Sequence, residues 1–186
     1  MKKALLLAVA LMMFAGTAHA GWLDLFTATT HDAWCAYPPP AQYVPVYIYM
    51  FARPPADGFR ATECKITIPD PCAAVVNETY HPNMNLAFGD WATGMSLSFD
   101  ACMMDPWVQV VSIQLLSLSC PWGTDCQIIE LSERNDSGFL GFATCGPGFP
   151  PEDAGHQFDV YLNCDPCPDI VATEDASWGA IKNLYK

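Results

Sequence analysis

From Gly21 to Pro168 the chain is a series of short apolar or alternating runs, each closed by Pro, Gly, Asn or Asp, without ten consecutive residues of capped helical periodicity. That pattern predicts an all-β domain. Tyr43 to Phe51 (YVPVYIYMF) is the clearest strand, rich in β-branched and aromatic residues, with Pro45 near its start. Pro54-Pro55 and Asp57-Gly58 turn the chain into a strand from Phe59 to Ile68, where Cys64, Ile66 and Ile68 alternate with Lys65 and Thr67. Further strands are expected over Ala73 to Thr79 and Asn83 to Phe88. Met95, Leu97 and Phe99 alternate cleanly with Ser96, Ser98 and Asp100. Trp107 to Leu118 is long enough for a helix, but Val108, Val110, Val111 and Ile113 are stiff at χ1 and favour a strand. Gln127 to Leu131 and Phe139 to Thr144 flank turn chemistry at Arg134 to Gly138 and should form a hairpin. Phe158 to Asn163 closes the series. Eight or nine strands at this spacing predict an immunoglobulin-like or cohesin-like β-sandwich.

The end of the chain follows another period. Trp178, Ile181, Leu184 and Tyr185 recur at spacings of three and four, one face of a short amphipathic helix. Asp175 or Ser177 can cap its start, and Lys182 and Lys186 suit its negative end. Gly179 weakens it, so it should need a partner to stay folded. The other end is different again: Lys2 and Lys3 precede the apolar run Ala4 to Ala15, and Ala18-His19-Ala20 supplies a cleavage site. Residues 1–20 therefore read as a secretory signal peptide, too short for a membrane span. The expected organisation is a signal at 1–20, a β-sandwich at 21–168, and a linker with its amphipathic tail at 169–186.

Composition then changes what the domain can bind. Without the signal, 166 of the 186 residues remain, with six basic side chains against twenty acidic ones, a net charge of −14. Arg53, Arg60, Lys65, Arg134, Lys182 and Lys186 are scattered along the sequence, so no basic patch for nucleic acid or anionic lipid is predicted. All nine cysteines lie after the signal, in a chain addressed to an oxidising compartment, and read as structural bridges. Short separations suggest Cys64 with Cys72 and Cys120 with Cys126. Cys164 and Cys167 form a Cys-x-x-Cys. A redox pair, or a zinc site built with Cys120 and Cys126, are its alternatives to bridging, though oxidation competes with thiolate ligation.

Tyr43 to Leu118, with its VPVYIY strand, PADGFRATECKI strand, NLAFGDWATGMSLSF pair and long apolar strand, resembles the secreted cohesin-like or immunoglobulin-like modules of bacterial exported proteins. The closing SWGAIKNLY is similar to a short terminal motif on such proteins. The resemblance implies a non-catalytic module that binds protein or sugar.

Candidate sites are few. Tyr47, Tyr49 and Phe51 share one strand face, roughly 7 Å apart in a line that could stack sugar rings. The alternatives are that this strand is covered on both sides, or that the Trp178 tail covers it. Trp34, Trp91, Trp107 and Trp122 lie in or beside expected loops, as a platform or as plugs of the sandwich ends. His31, His81 and His156 lack a partner at metal-ligand spacing. Turn oxygens at Asn135-Asp136, or at Asp165 with Asp169, could hold calcium, against the alternative of solvated turns; no other cofactor is expected. The resemblance implies an extracellular protein or carbohydrate as partner. The competing class is a secreted hydrolase whose triad assembles from distant segments.

Overall fold

Residues 21–36, 43–69, 73–117, 125–165 and 167 are described by a computed structural model of the protein. They form twelve strands: β1 (Gly21–Phe26), β2 (Cys35–Ala36), β3 (Val46–Arg53), β4 (Phe59–Thr67), β5 (Ala73–Tyr80), β6 (Met84–Asp90), β7 (Gly94–Met103), β8 (Val108–Ser117), β9 (Gln127–Ser132), β10 (Gly141–Thr144), β11 (Pro151–Gly155) and β12 (Val160–Leu162). Antiparallel β5-β8-β3-β1 make one wall of a sandwich. The other wall is β10-β4-β7-β6, with β9, β12 and β2 continuing from the far half of β4. Between them β11 runs parallel to β1 and antiparallel to β10, joining the walls along one side.

The alternating runs explain the core. Leu23, Leu25, Ile48, Met50 and Ile113 from the first wall meet Phe59, Ile66, Leu97, Phe99 and Phe142 from the second, all 2% exposed or less. Each such side chain contributes about 1.5–3 kcal/mol by leaving water. The 107–118 run is β8, as its β-branched residues require, and Val108, Val110, Ile113 and Leu115 all point inward.

The nine strands expected from sequence are present, and three more accompany them. β1 was hidden because it abuts the signal-like segment, and β2 and β11 are too short or too polar to show alternation. The expected hairpin of Gln127 to Leu131 with Phe139 to Thr144 does not form. Both strands pair with β4 instead: Ser132 lies opposite Lys65, and the chain rejoins β4 at Gly141 opposite Glu63. Residues 133–140 are thus an excursion from one strand path, held by Arg134 N–H to Phe139 O at 2.9 Å and Gly138 N–H to Arg134 O at 2.8 Å.

The cysteines pair over longer distances than their spacing suggested. Cys35 bonds Cys167, Cys102 bonds Cys145, and Cys126 bonds Cys164. Cys126 therefore does not pair with Cys120, nor Cys64 with Cys72. Cys64 is a free thiol on the inward face of β4, beside Met50. Cys164 and Cys167 are committed to different partners, which removes both the redox and the zinc readings of that pair. Cys72 and Cys120 lie outside the described residues, as do the signal segment 1–20, Trp122 and the tail with Trp178, Ile181, Leu184 and Tyr185.

Candidate binding surfaces

The outer face of the second wall is built from two rows. Strand register places Phe88, Ser96, Glu63 and Gly141 side by side, and next to them Leu86, Ser98, Ala61 and Ala143. Directly opposed side chains on one sheet face lie about 5 Å apart, so Ala61, Ser98 and Ala143 make a low floor. Its rim is apolar and open to solvent: Leu86 is 59%, Phe88 66% and Phe149 52% exposed. Two shallow cavities of about 280 and 370 Å³ share Ala61 and Ala143 on this floor. One extends toward Phe139 and Pro151, the other toward Asn85 and Phe149.

The excursion 133–140 folds over one end of the floor and fixes its charges. Arg134 bonds Ser96 Oγ, lies 3.4 Å from Glu63 Oε1, and grips Asp136 at 2.6 and 2.9 Å. Ser96 and Ser137 both donate to Glu63, at 2.8 and 2.9 Å. Gly94, at φ +129°, makes room for this: a Cβ there would sit 2.2 Å from Arg134 Cγ. The Arg134 guanidinium also stands 5.9 Å from the Phe88 ring centroid. At the other end Phe149 holds φ 51°, a left-handed conformation that costs a bulky residue on the order of 1 kcal/mol or more. Its loop is pinned by Cys102–Cys145, by Cys145 N–H to Gly58 O, and by Thr144 N–H to Pro150 O. Arg60 packs under the Phe149 ring at 5.9 Å and donates to Asp100 O. Arg60, Lys65 and Arg134, scattered in sequence, are gathered here by β4 and the excursion.

The first wall presents a different outer face. Tyr47 is 43% exposed and Tyr49 half-buried, with near-parallel rings 6.4 Å apart. Phe51 does not extend their line. The β3–β8 register shifts between Met50 and Phe51, and the Phe51 ring, 5% exposed, is buried among Phe26, His31 and Trp107. His31 stacks on Trp107 at 4.4 Å, and Trp34 tilts against Phe158. Trp34 and Trp107 therefore plug this end of the sandwich, while Trp91 is buried with its indole N–H on Glu78 Oε1 at 2.6 Å.

The histidines hold structure. His156 lies between two carboxylates: Nε2 is 2.8 Å from Asp159 Oδ1, and Nδ1 is 3.0 Å from Leu23 O and 3.5 Å from Asp24 Oδ1. Burial alone lowers its pKa, but the bonds to Asp159, Asp24 and Leu23 outweigh that and raise it to about 10. Asp24, 2% exposed, also accepts the amides of Gln157 and Phe158 at 2.7 and 2.9 Å. His81 accepts the Asn83 amide at Nδ1. No histidine lines either cavity. Of the turn oxygens considered for calcium, Asn135 Oδ1 accepts from Lys65 and Asp136 pairs with Arg134, while Asp169, the expected partner of Asp165, lies outside the described residues.

Sequence reasoning missed Leu86, Phe88 and Phe149. Leu86 and Phe88 sit two apart in an expected strand, but alternation does not say which face is wet; Phe149 lies in a Gly-Pro-Gly-Phe-Pro turn that carried no signal.

No protein family and no curated protein matches the chain by sequence. Its fold does match solved structures. The sixth cohesin of scaffoldin B from Acetivibrio cellulolyticus, solved in complex with a dockerin, aligns at TM-score 0.54 and 9% identity over 77% of this chain and 98% of its own. The type III cohesin of the cell-surface anchoring scaffoldin ScaE from Ruminococcus flavefaciens gives 0.53 and 13% over 77% and 87%. The seventh type I cohesin of ScaB from Pseudobacteroides cellulosolvens gives 0.50 and 10% over 75% and 90%. The described residues thus have a cohesin-like β-sandwich fold, stapled by three disulfides.

Proposed function

We propose that the protein is a secreted, non-catalytic module that docks a partner protein on the outer face of β10-β4-β7-β6. One observation carries this reading: three large apolar side chains, Leu86, Phe88 and Phe149, stand in solvent around the small-residue floor of Ala61, Ser98 and Ala143. Isolated exposed apolar residues are ordinary, but a rim of them around a low floor is the form of an interaction site. The rim is held before binding, by the Cys102–Cys145 bond at one end and the Arg134 network at the other, so little ordering entropy opposes docking. The dockerin in the Acetivibrio structure supports a protein as the partner class. The disulfides and the signal-like segment support an extracytoplasmic site of action.

A photo-crosslinking amino acid in place of Asn85, at the edge of the face, should yield an adduct with a second protein in the protein's own envelope or culture fluid. Phe88→Asp should abolish that adduct while leaving the unfolding midpoint unchanged. No adduct, or one indifferent to Phe88→Asp, overturns the reading.

For residues 175–186 we propose docking or sorting through the Trp178, Ile181, Leu184 and Tyr185 face, supported by the helical spacing of those residues. Deleting them should change localisation. Unchanged localisation with lower stability would mean that the segment only packs on its own domain.

A further inference from the structure

We propose that the opposite outer face, on β3, β8 and β5, is a second binding site, and that its ligand is a neutral insoluble polysaccharide. This assignment is independent of the protein-docking face and uses none of its residues. Strand register sets Tyr47, Gln114 and Asn77 in one row and Tyr49, Ser112 and Thr79 in the next. These two rows are outward on an antiparallel wall whose other side is core, so the pleat commits all six side chains to one surface. The Tyr47 and Tyr49 rings lie 6.4 Å apart at an interplanar angle of 19°, giving two near-parallel apolar plates on the outer face. Tyr43, at the approach to the same strand, is 63% exposed and held at φ 65°, with its amide bonded to Ser117 O.

The chemistry of the rows selects the ligand. A pyranose ring has an apolar C–H face and an equatorial rim of hydroxyls. The tyrosine plates suit the first, and the amides of Gln114 and Asn77 with the hydroxyls of Ser112 and Thr79 suit the second. All six side chains are uncharged, in a chain that carries −14 after its first twenty residues. The net negative charge of the chain disfavours uronate or sulfated glycans, and leaves an uncharged chain as the polymer this strip accepts. The strip is also rigid. β3 is bonded on one side by β1 and on the other by β8, so both rings are positioned before a ligand arrives. It ends at Tyr49, because Phe26 opposite that residue is roofed by His31, Trp107 and Phe158. Phe51 accordingly has no part in the site.

The full chain without its first twenty residues should be retained on at least one of insoluble cellulose, chitin or xylan. Retention should be unchanged from about 0.05 to about 1 M salt, since stacking and neutral hydrogen bonds are not screened. Tyr47→Ala and Tyr49→Ala should each weaken it about tenfold, with the thermal midpoint and circular dichroism preserved. Gln114→Ala should weaken it without removing a ring, and Phe88→Asp should leave it unchanged. Failure of the wild type on all three polymers, elution by salt, or full retention by both tyrosine variants overturns the proposal. Retention that appears only after deletion of 175–186 overturns it as well, because the tail is then the occupant of this face.

Discussion

His156 should make this fold weaken at alkaline pH. Buried His156 has its pKa lowered by desolvation, but its bonds to Asp159, Asp24 and Leu23 O more than reverse this, taking it from 6.5 to about 10. A raised folded pKa means that the native state holds a proton the unfolded chain has released. The contribution is therefore fully present below about pH 6.5 and is lost as pH rises through about 10. The difference between those two values, at about 1.4 kcal/mol per pH unit, sets a ceiling on the order of 5 kcal/mol. Solvent reaches 21% of the His156 side chain, which screens the pairs and brings the expected contribution to on the order of 2 kcal/mol. Urea unfolding of the wild type and of His156→Gln at about pH 6, 8 and 10 measures it. Gln keeps a polar, uncharged side chain near Asp159, so the variant should be less stable by about 2 kcal/mol near pH 6 and should approach the wild type near pH 10. Parallel stability curves across that range would refute the argument, since the proton would then contribute nothing to folding.

Phe142, fully buried against Phe59 at a ring separation of 4.9 Å, should cost about 3–5 kcal/mol when replaced by Ala, read as a lower denaturant midpoint at unchanged slope. Burial pushes the Cys64 thiol up to about 12, so maleimide labelling near pH 8 followed by peptide mapping should modify Cys64 only after denaturation; native labelling would contradict its place in the core. Gly94→Ala should destabilise by about 1–3 kcal/mol, because the new Cβ meets Arg134 at 2.2 Å on a backbone at φ +129°; the removal of Glu63 by Glu63→Gln should leave that cost in place, since the clash is with the arginine stem.

The elements that the sequence revealed are those in which one face is dry. Met95, Leu97 and Phe99 alternate because β7 has core on one side only, and the β-branched run of β8 shows its strand character against an equally apolar helix. What stayed hidden depended on partners. β11 is Pro-Glu-Asp-Ala-Gly, and it is a strand because β1 and β10 supply its backbone partners. The 134–138 turn had the residues of a hairpin, yet Asn135 N–H bonds Thr93 O and the chain returns to β4, a choice made by tertiary contacts. The cysteines failed for the same reason: loop length favours Cys120 with Cys126, but β9 and β12 are adjacent strands, and their register brings Cys126 to Cys164. Of the aromatic line, Tyr47 and Tyr49 were legible, whereas the bulge after Met50 that removes Phe51 has no sequence mark.

Both lateral sides of the sandwich are occupied, and this decides where a ligand can sit. On one side β11 hydrogen-bonds both walls. On the other, where β5 and β6 are neighbours in sequence, Glu78 of β5 takes the indole N–H of Trp91, just past the end of β6, and so spans the gap. The broad faces remain, and they are separated by a core about 10 Å thick. Tyr47 and Phe88 therefore share no contact residue, and the effects of changing them should add. The Tyr47→Ala, Phe88→Asp double variant should lose polysaccharide retention as the first single does and the protein adduct as the second does. Loss of the protein adduct in Tyr47→Ala alone, or of polysaccharide retention in Phe88→Asp alone, would show that the two faces are coupled through the core, and that the module cannot hold two ligands independently.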